Sequence, residues 1–514
     1  MRIPFDLIAA LLGLEAVRDL LARAYPNCTL AQATALDSAR TSLAEALVAL
    51  AAYGLVVWLA HELLARRAEW QTRWGRWPRG VASQPARLHP LQQHARGALL
   101  GQLLNVCVYL AFLWHYGWPL KTAAWPEWLG LEGWTSGDTR DMLRLSLFVG
   151  GLLDLGPFVL AMLLTWIPRR RLSARGVSLP RWLSFEARLT LLPLVLWLGL
   201  YLALDLSSAL APYRLLGNWA EVPWLAALAG IGLLVLVAAV LLPGVAVRLW
   251  QCRPMPEGPL KERLAALVAR SGIRARAILS WGPRGSGFAN ACVLGPWGRL
   301  RYILISPTLA EALTPEECEA VLAHEIGHVR HGHLTLLICM VVLLAALGEL
   351  ALRLARGALP NEPLLHALVL LILLGAYLRL FFGAVSRRCE QEADLAAVEL
   401  VGSPLPLVRS LEKISAMAGG IRDIYSWHHD SIGRRVERML AAGEDPEIIR
   451  RQHAMVRRMR WALVCAAVLA VAALVGSSMT APTPDGQPDR HTRASAAPIA
   501  PEALPTANVS KTKG

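Results

Sequence analysis

The run His324-Glu325-Ile326-Gly327-His328 holds the residue types whose spacing could do chemistry. Histidines four apart stand one turn above each other on the same helical face. Both imidazoles can therefore reach one tetrahedral zinc ion while the intervening glutamate leans toward an attacking water. Zinc with an open coordination position is a hydrolytic centre, and Glu325 is then the candidate general base. A catalytic zinc takes three protein ligands, so two histidines do not suffice. His331 and His333 follow closely, but one straight helix cannot wrap three ligands around a single ion, and both are expected to be solvated or interfacial. The third ligand must come from another helix. His61-Glu62 begins like the same motif but continues Leu63-Leu64-Ala65, and it is set aside.

Acidic side chains that could complete the site stand in Ser386-Arg387-Arg388-Cys389-Glu390-Gln391-Glu392-Ala393-Asp394. Two apolar stretches, 334–384, separate this segment from the histidines. As a membrane hairpin they return the chain to the edge it left, which brings Glu390 near His324 and His328. Asp394, one turn further on, can accept a hydrogen bond from a ligand histidine and fix its tautomer.

The elements that must position these residues are mostly membrane-spanning. The chain has 514 residues, 55% of them hydrophobic, with a mean hydropathy of +0.41. That is too apolar for a soluble protein of this length. Apolar segments of about 20 residues, the length of a helical span, occur near 42–64, 98–117, 145–167, 190–207, 223–247, 334–352, 364–384 and 461–478. Phe5 to Leu21 carries Asp6, Glu15, Arg18 and Asp19 and reads as an amphipathic surface helix. The net charge of +14 is not spread as in a nucleic-acid-binding protein. Arginines crowd the loops after the first and third spans and are sparse in the loops between, the positive-inside pattern. It assigns 249–333 and 385–460 to the cytoplasm. Eight cysteines without a CxxC pair argue against a disulfide framework. Asp154 and Asp205, in or beside apolar spans, mark a bundle interior or a wet cavity.

From residue 249 the pattern becomes that of a small mixed domain. Leu260 to Arg270 is an amphipathic helix opened by Pro259 and closed by Gly272. The runs 275–281, 288–294 and 300–306 read as strands. Thr314-Pro315-Glu316-Glu317 is a capping box with proline at the first helical position. The helix it starts is expected to run through the histidine motif and into the sixth span.

Glu319 through His328, followed by Ser386-Arg387 and Glu390-x-x-Ala393-Asp394, resembles the membrane gluzincin family that contains HtpX and the CAAX prenyl proteases. The resemblance covers about 258–440. It implies that Glu390, not Glu392, is the third zinc ligand. It also implies that Asn290-Ala291 belongs to an edge strand receiving the substrate backbone. His429 through Arg435-Val436 is similar to the family's late element, whose histidine and arginine support the transition state. Asp430 stands where that element has proline and His428 precedes it, so His428 and His429 both remain candidates.

The expectation is a mainly α polytopic membrane protein of seven or eight transmembrane helices with an inserted α+β gluzincin-type protease domain. Its parts are an N-terminal amphipathic segment (1–41), a five-span scaffold (42–248) and a first cytoplasmic protease segment (249–333). A two-span hairpin (334–384), a second protease segment (385–460), a last span (461–478) and a disordered tail on the opposite side (479–514) follow. One zinc per chain is held by His324, His328 and Glu390. The partners are a peptide or membrane-protein substrate and the bilayer, with no nucleic acid and the oligomeric state open. Against a zinc endopeptidase stand three other readings. A site-2-type intramembrane protease lacks its second motif, since the Asp-Gly pair, Asp485-Gly486, falls in the tail. A sensor-transducer lacks long outward loops. A scaffold with a relict site would not need the intact Glu325.

Overall fold

The computed structural model describes residues 43–74, 109, 156–159, 164, 177–189, 236–237, 239–285, 288–358, 363–417, 422–423 and 430–479. The N-terminal segment, most of the expected five-span scaffold with Asp154 and Asp205, the His428–His429 pair and the tail from 480 onward lie outside the described residues.

Helix α1 (Leu43–Trp74) precedes the mixed domain. Strand β1 (Arg253–Pro254) and helix α2 (Pro259–Arg270) follow, and Gly272 takes φ +75°, the left-handed turn that releases α2 into β2 (Ala277–Ser280). Strands β3 (Ala291–Leu294) and β4 (Tyr302–Ile305) complete a sheet of order β1-β2-β4-β3. Only β2 and β4 are parallel. β3 is therefore an edge strand. Buried Ser306, just after β4, ties its start down. The Ser306 hydroxyl accepts from Asn290 N–H at 2.9 Å, and Ser306 N–H donates to the Asn290 carbonyl at 2.9 Å. The same hydroxyl caps the short helix α3 (Pro307–Ala312) through Leu309 N–H.

Helix α4 (Pro315–Arg330) starts at the capping box: Thr314 accepts from Glu317 N–H at 3.3 Å and Glu317 accepts from Thr314 N–H at 2.9 Å. It packs on the β3 side of the sheet and against α2. Leu264 and Leu267 of α2, Ile303 and Ile305 of β4 and Leu322, Ala323 and Ile326 of α4 form one apolar core.

The expectation that this helix continues into the sixth span is corrected. α4 ends at Arg330, Gly332 takes φ +65°, and a separate helix α5 begins at His333 and runs to Ala358. Only a residue free of the Cβ penalty turns the chain so sharply there. Within α5, His333–Ala355 is, among the described residues, the one helix long and apolar enough to cross a membrane, with hydropathy 2.5 and little of it buried.

Helix α6 (Pro363–Ala376) passes through a π-helical turn (Tyr377–Phe382) into α7 (Gly383–Val401). The Tyr377 hydroxyl donates to the Met340 carbonyl of α5 at 2.8 Å, which fastens the turn to the neighbouring helix. A π-turn inserts one extra residue and rotates the following face, here the face that carries Glu390 and Asp394. Helices α8 (Leu405–Met417) and α9 (Ile432–Glu444) close over α7. The final described helix, α10 (Glu447–Met479), is unbroken across the expected domain-to-span boundary and packs along α5 and α7. Leu336 and Met340 of α5, Val385 and Cys389 of α7 and Val456 and Leu463 of α10 share a second core.

Candidate metal centre

The site forms where α4 meets α7. Their close approach requires Gly327: a Cβ there would stand 3.0 Å from both the Ala393 Cα and its carbonyl oxygen. With the backbones that near, His324 Nε2 and His328 Nε2 lie 3.3 Å apart. Glu390 Oε2 is 3.7 Å from His324 Nε2 and Glu390 Oε1 is 3.6 Å from His328 Nε2. Tetrahedral ligands at about 2.0–2.1 Å from zinc stand roughly 3.3 Å from one another. The three donors are thus spaced to take one such ion, and the two rings are nearly perpendicular, at 87°. The set of two imidazoles and a carboxylate is one that zinc takes in catalytic sites.

Buried groups behind these three residues hold them in place. His324 Nδ1 is 2.9 Å from Asp394 Oδ1, in contact though off the line of a regular hydrogen bond. Asp394 is in turn gripped by Arg435 of α9, Nε to Oδ2 at 2.8 Å and Nη2 to Oδ1 at 2.6 Å. Burial alone would raise the Asp394 carboxyl, but the Arg435 guanidinium outweighs it and holds the group below the usual range. Arg435 Nη1 also comes to 3.9 Å from Glu390 Oε2. Burial, with His324 adding, pushes His328 down to about 3, so its imidazole is neutral and free to act as a ligand. Glu325, half-buried beside the site, has its carboxyl pushed up to about 7 by burial, with His324 opposing and Glu390 assisting.

Among the other residues expected from sequence, Ala291 is buried at the start of β3 opposite Ile305, and Asn290 immediately precedes it. β3 lies against α4, and Cys292 is close enough to Glu325 for the carboxylate to add to the upward shift that burial gives the thiol. The edge strand therefore runs past the general-base candidate. His429 and His428 lie outside the described residues, but Asp430 next to them is buried, accepting from Gln391 Nε2 at 2.8 Å and Arg438 Nη1 at 3.3 Å. The Gln391 contact ties Asp430 to α7.

Of the two histidines expected to be solvated or interfacial, His331 is half-buried and His333 is buried. His333 is 4% exposed. Its Nδ1 is 2.7 Å from His328 Nδ1 and its Nε2 is 2.8 Å from Glu392 Oε2. His331 Nδ1 and His453 Nδ1 approach the other oxygen of Glu392, at 3.2 and 2.9 Å. Burial would raise the Glu392 carboxyl, but hydrogen bonding from His331, His333 and His453 reverses this and holds it far below the usual range. Neither histidine joins the group of His324, His328 and Glu390, and the turn at Gly332 is what carries His333 into this second cluster.

Residues 254–479 match Peptidase family M48. The chain is similar to a protease HtpX homolog of Bacteroides fragilis (strain YCH46), 34% identical over 143 residues, which are 25% of this chain and 44% of the relative. It is also similar to a CAAX prenyl protease 1 homolog of Arabidopsis thaliana, 27% identical over 208 residues, 37% of this chain and 49% of the relative. The chain thus spans about half the length, or less, of these two curated relatives. The crystal structure of S. mikatae Ste24p shares the fold, with a TM-score of 0.52 at 16% identity, covering 76% of this chain and 97% of that one.

Proposed function

Starting from residues 254–479 as a Peptidase family M48 region, we propose that the chain is a zinc-dependent integral membrane endopeptidase acting at the cytoplasmic membrane face. The observation that carries this reading is the convergence of His324, His328 and Glu390 at ligand spacing with Glu325 beside them.

His324, His328 and Glu390 would hold one zinc per chain. When bound, zinc polarises the scissile carbonyl and makes water acidic enough to ionise near neutral pH. Glu325 accepts the proton of the attacking water and passes it to the leaving amine, a role worth about 10²- to 10⁴-fold. An extended peptide would add to the outer edge of β3, with Asn290 and Ala291 at its start. His429, or His428 in the alternative register, would donate to the tetrahedral oxyanion. Arg435 acts from behind the ligands: with both Asp394 oxygens in its fork, it positions Asp394 and through it His324.

α5 supports a membrane location, and the arginine-rich loops of the sequence support a cytoplasmic protease domain with 479–514 on the opposite side. The seven or eight spans and the split of the protease domain around the 334–384 hairpin are part of the same proposal. The substrate would be a peptide or membrane protein reached at that face. Membranes from cells expressing wild type and Glu325→Gln, compared by quantitative proteomics, test this. Substrates should accumulate with Glu325→Gln and be lost with wild type. Identical proteomes under conditions where both are expressed and loaded with zinc would contradict it.

A further inference from the structure

His333, Glu392, His331 and His453 form a buried or half-buried cluster that the proposed reaction does not use. His331, Glu392 and His453 bring three possible ligand atoms within 4.8 Å of one another. The His331 and His453 rings, however, stack nearly parallel, 8° apart with centroids at 4.3 Å. An imidazole binds a metal in its own plane along the nitrogen lone pair, and stacked parallel rings share no such point. The cluster is built for hydrogen bonding, unlike the perpendicular pair His324 and His328.

We propose that His333 is a positioning residue for the ligand His328, and that Glu392 sets which His333 nitrogen carries the proton. The proposal rests on the zinc reading above. An ionised carboxylate only accepts hydrogen bonds, so at 2.8 Å His333 Nε2–H donates to Glu392 Oε2. His333 Nδ1 is then a bare acceptor, and at 2.7 Å it takes the proton of His328 Nδ1. That leaves the lone pair of His328 on Nε2, the nitrogen that faces His324 Nε2 and Glu390 Oε1. Glu392 cannot easily swing away, because its other oxygen lies 2.9 Å from His453 Nδ1 and 3.2 Å from His331 Nδ1. The left-handed turn at Gly332 is what brings His333, at the start of α5, back onto the ligand helix.

Both histidine ligands are thus backed by a carboxylate, His324 directly by Asp394 and His328 through an intervening imidazole. Groups in such positions tune metal affinity and ligand orientation.

The test uses the full chain in detergent, with zinc affinity from chelator competition and the visible spectrum of the cobalt-substituted protein as two readouts. His333→Phe should weaken zinc binding by about 10- to 100-fold and alter the cobalt bands. His333→Asn, which places an accepting oxygen near the Nδ1 position, should recover most of the affinity and the wild-type spectrum. His453→Phe touches the same Glu392 but not His328, and should bind zinc nearly as wild type does. Unchanged zinc affinity in His333→Phe overturns the proposal, as do equal losses in His333→Phe and His333→Asn. An equal loss in His453→Phe makes the cluster merely structural and also overturns it. A wild-type protein that binds no zinc overturns instead the zinc reading beneath it.

Discussion

Gly327 and Ala393 meet backbone to backbone: a Cβ added at Gly327 would lie 3.0 Å from the Ala393 Cα and carbonyl oxygen, so α4 and α7 touch where their candidate ligands face each other. Helix propensity and packing then predict opposite signs for one substitution. Alanine is the better helix former by about 1 kcal/mol, yet overpacking at a contact this tight costs about 1–3 kcal/mol. Packing is expected to win. Gly327→Ala should lower the unfolding temperature and zinc affinity together, and a variant more stable than wild type would show that the helices do not depend on this contact.

Arg435 and Asp394 are both almost fully buried. Removing the arginine leaves the buried Asp394 carboxylate without its cation, with only the His324 contact remaining, which costs about 3–5 kcal/mol. Arg435→Met should therefore be severely destabilised or lose zinc, while Arg435→Met with Asp394→Asn should recover part of the stability. Lysine cannot reproduce the two-pronged grip, so Arg435→Lys should fall well short of wild type. Denaturant titration of the three variants checks this, and full stability in Arg435→Met would remove the pair from the account.

Zinc content should respond to three residues above all. His324→Ala, His328→Ala and Glu390→Ala should each lower it sharply, whereas Glu392→Ala should still load zinc at saturating metal, though with weaker affinity. The imidazoles must be neutral to bind, so affinity should fall as pH drops and protons compete for them. Metal analysis after dialysis at several pH values measures both effects. Full loading of Glu390→Ala would exclude that residue as a ligand.

The candidate site was legible in the sequence where its logic is local. The histidine spacing, the capping box at Thr314 and Glu317 and the Glu390-to-Asp394 spacing each follow from helical periodicity. The resemblance distinguished Glu390 from Glu392, which periodicity does not. What was not legible depends on chain reversal and on distant partners. One glycine at positive φ decides whether His333 continues past the site or folds back onto His328. His453 reaches Glu392 from a helix that begins more than fifty residues later. The π-turn at Tyr377–Phe382 leaves no mark in an apolar stretch, because its residues suit a regular helix equally well.

Topology is open to direct measurement. Single cysteines introduced in the arginine-rich loops at 65–97 and 168–188 should be shielded from an impermeant reagent added outside, and one placed after Ser478 should be labelled. A shielded tail would mean that α10 does not cross the membrane, or that the count of spans before it is off by one.

The central claim is that Glu325 moves the proton and does not hold the metal. Glu325→Gln keeps the side chain's shape and leaves His324, His328 and Glu390 in place. Zinc content and peptide cleavage should be measured on the same purified sample, beside wild type. The account predicts zinc near the wild-type level with cleavage reduced by at least about 100-fold; cleavage at the wild-type rate with zinc retained would contradict it, leaving a zinc site without the proposed chemistry.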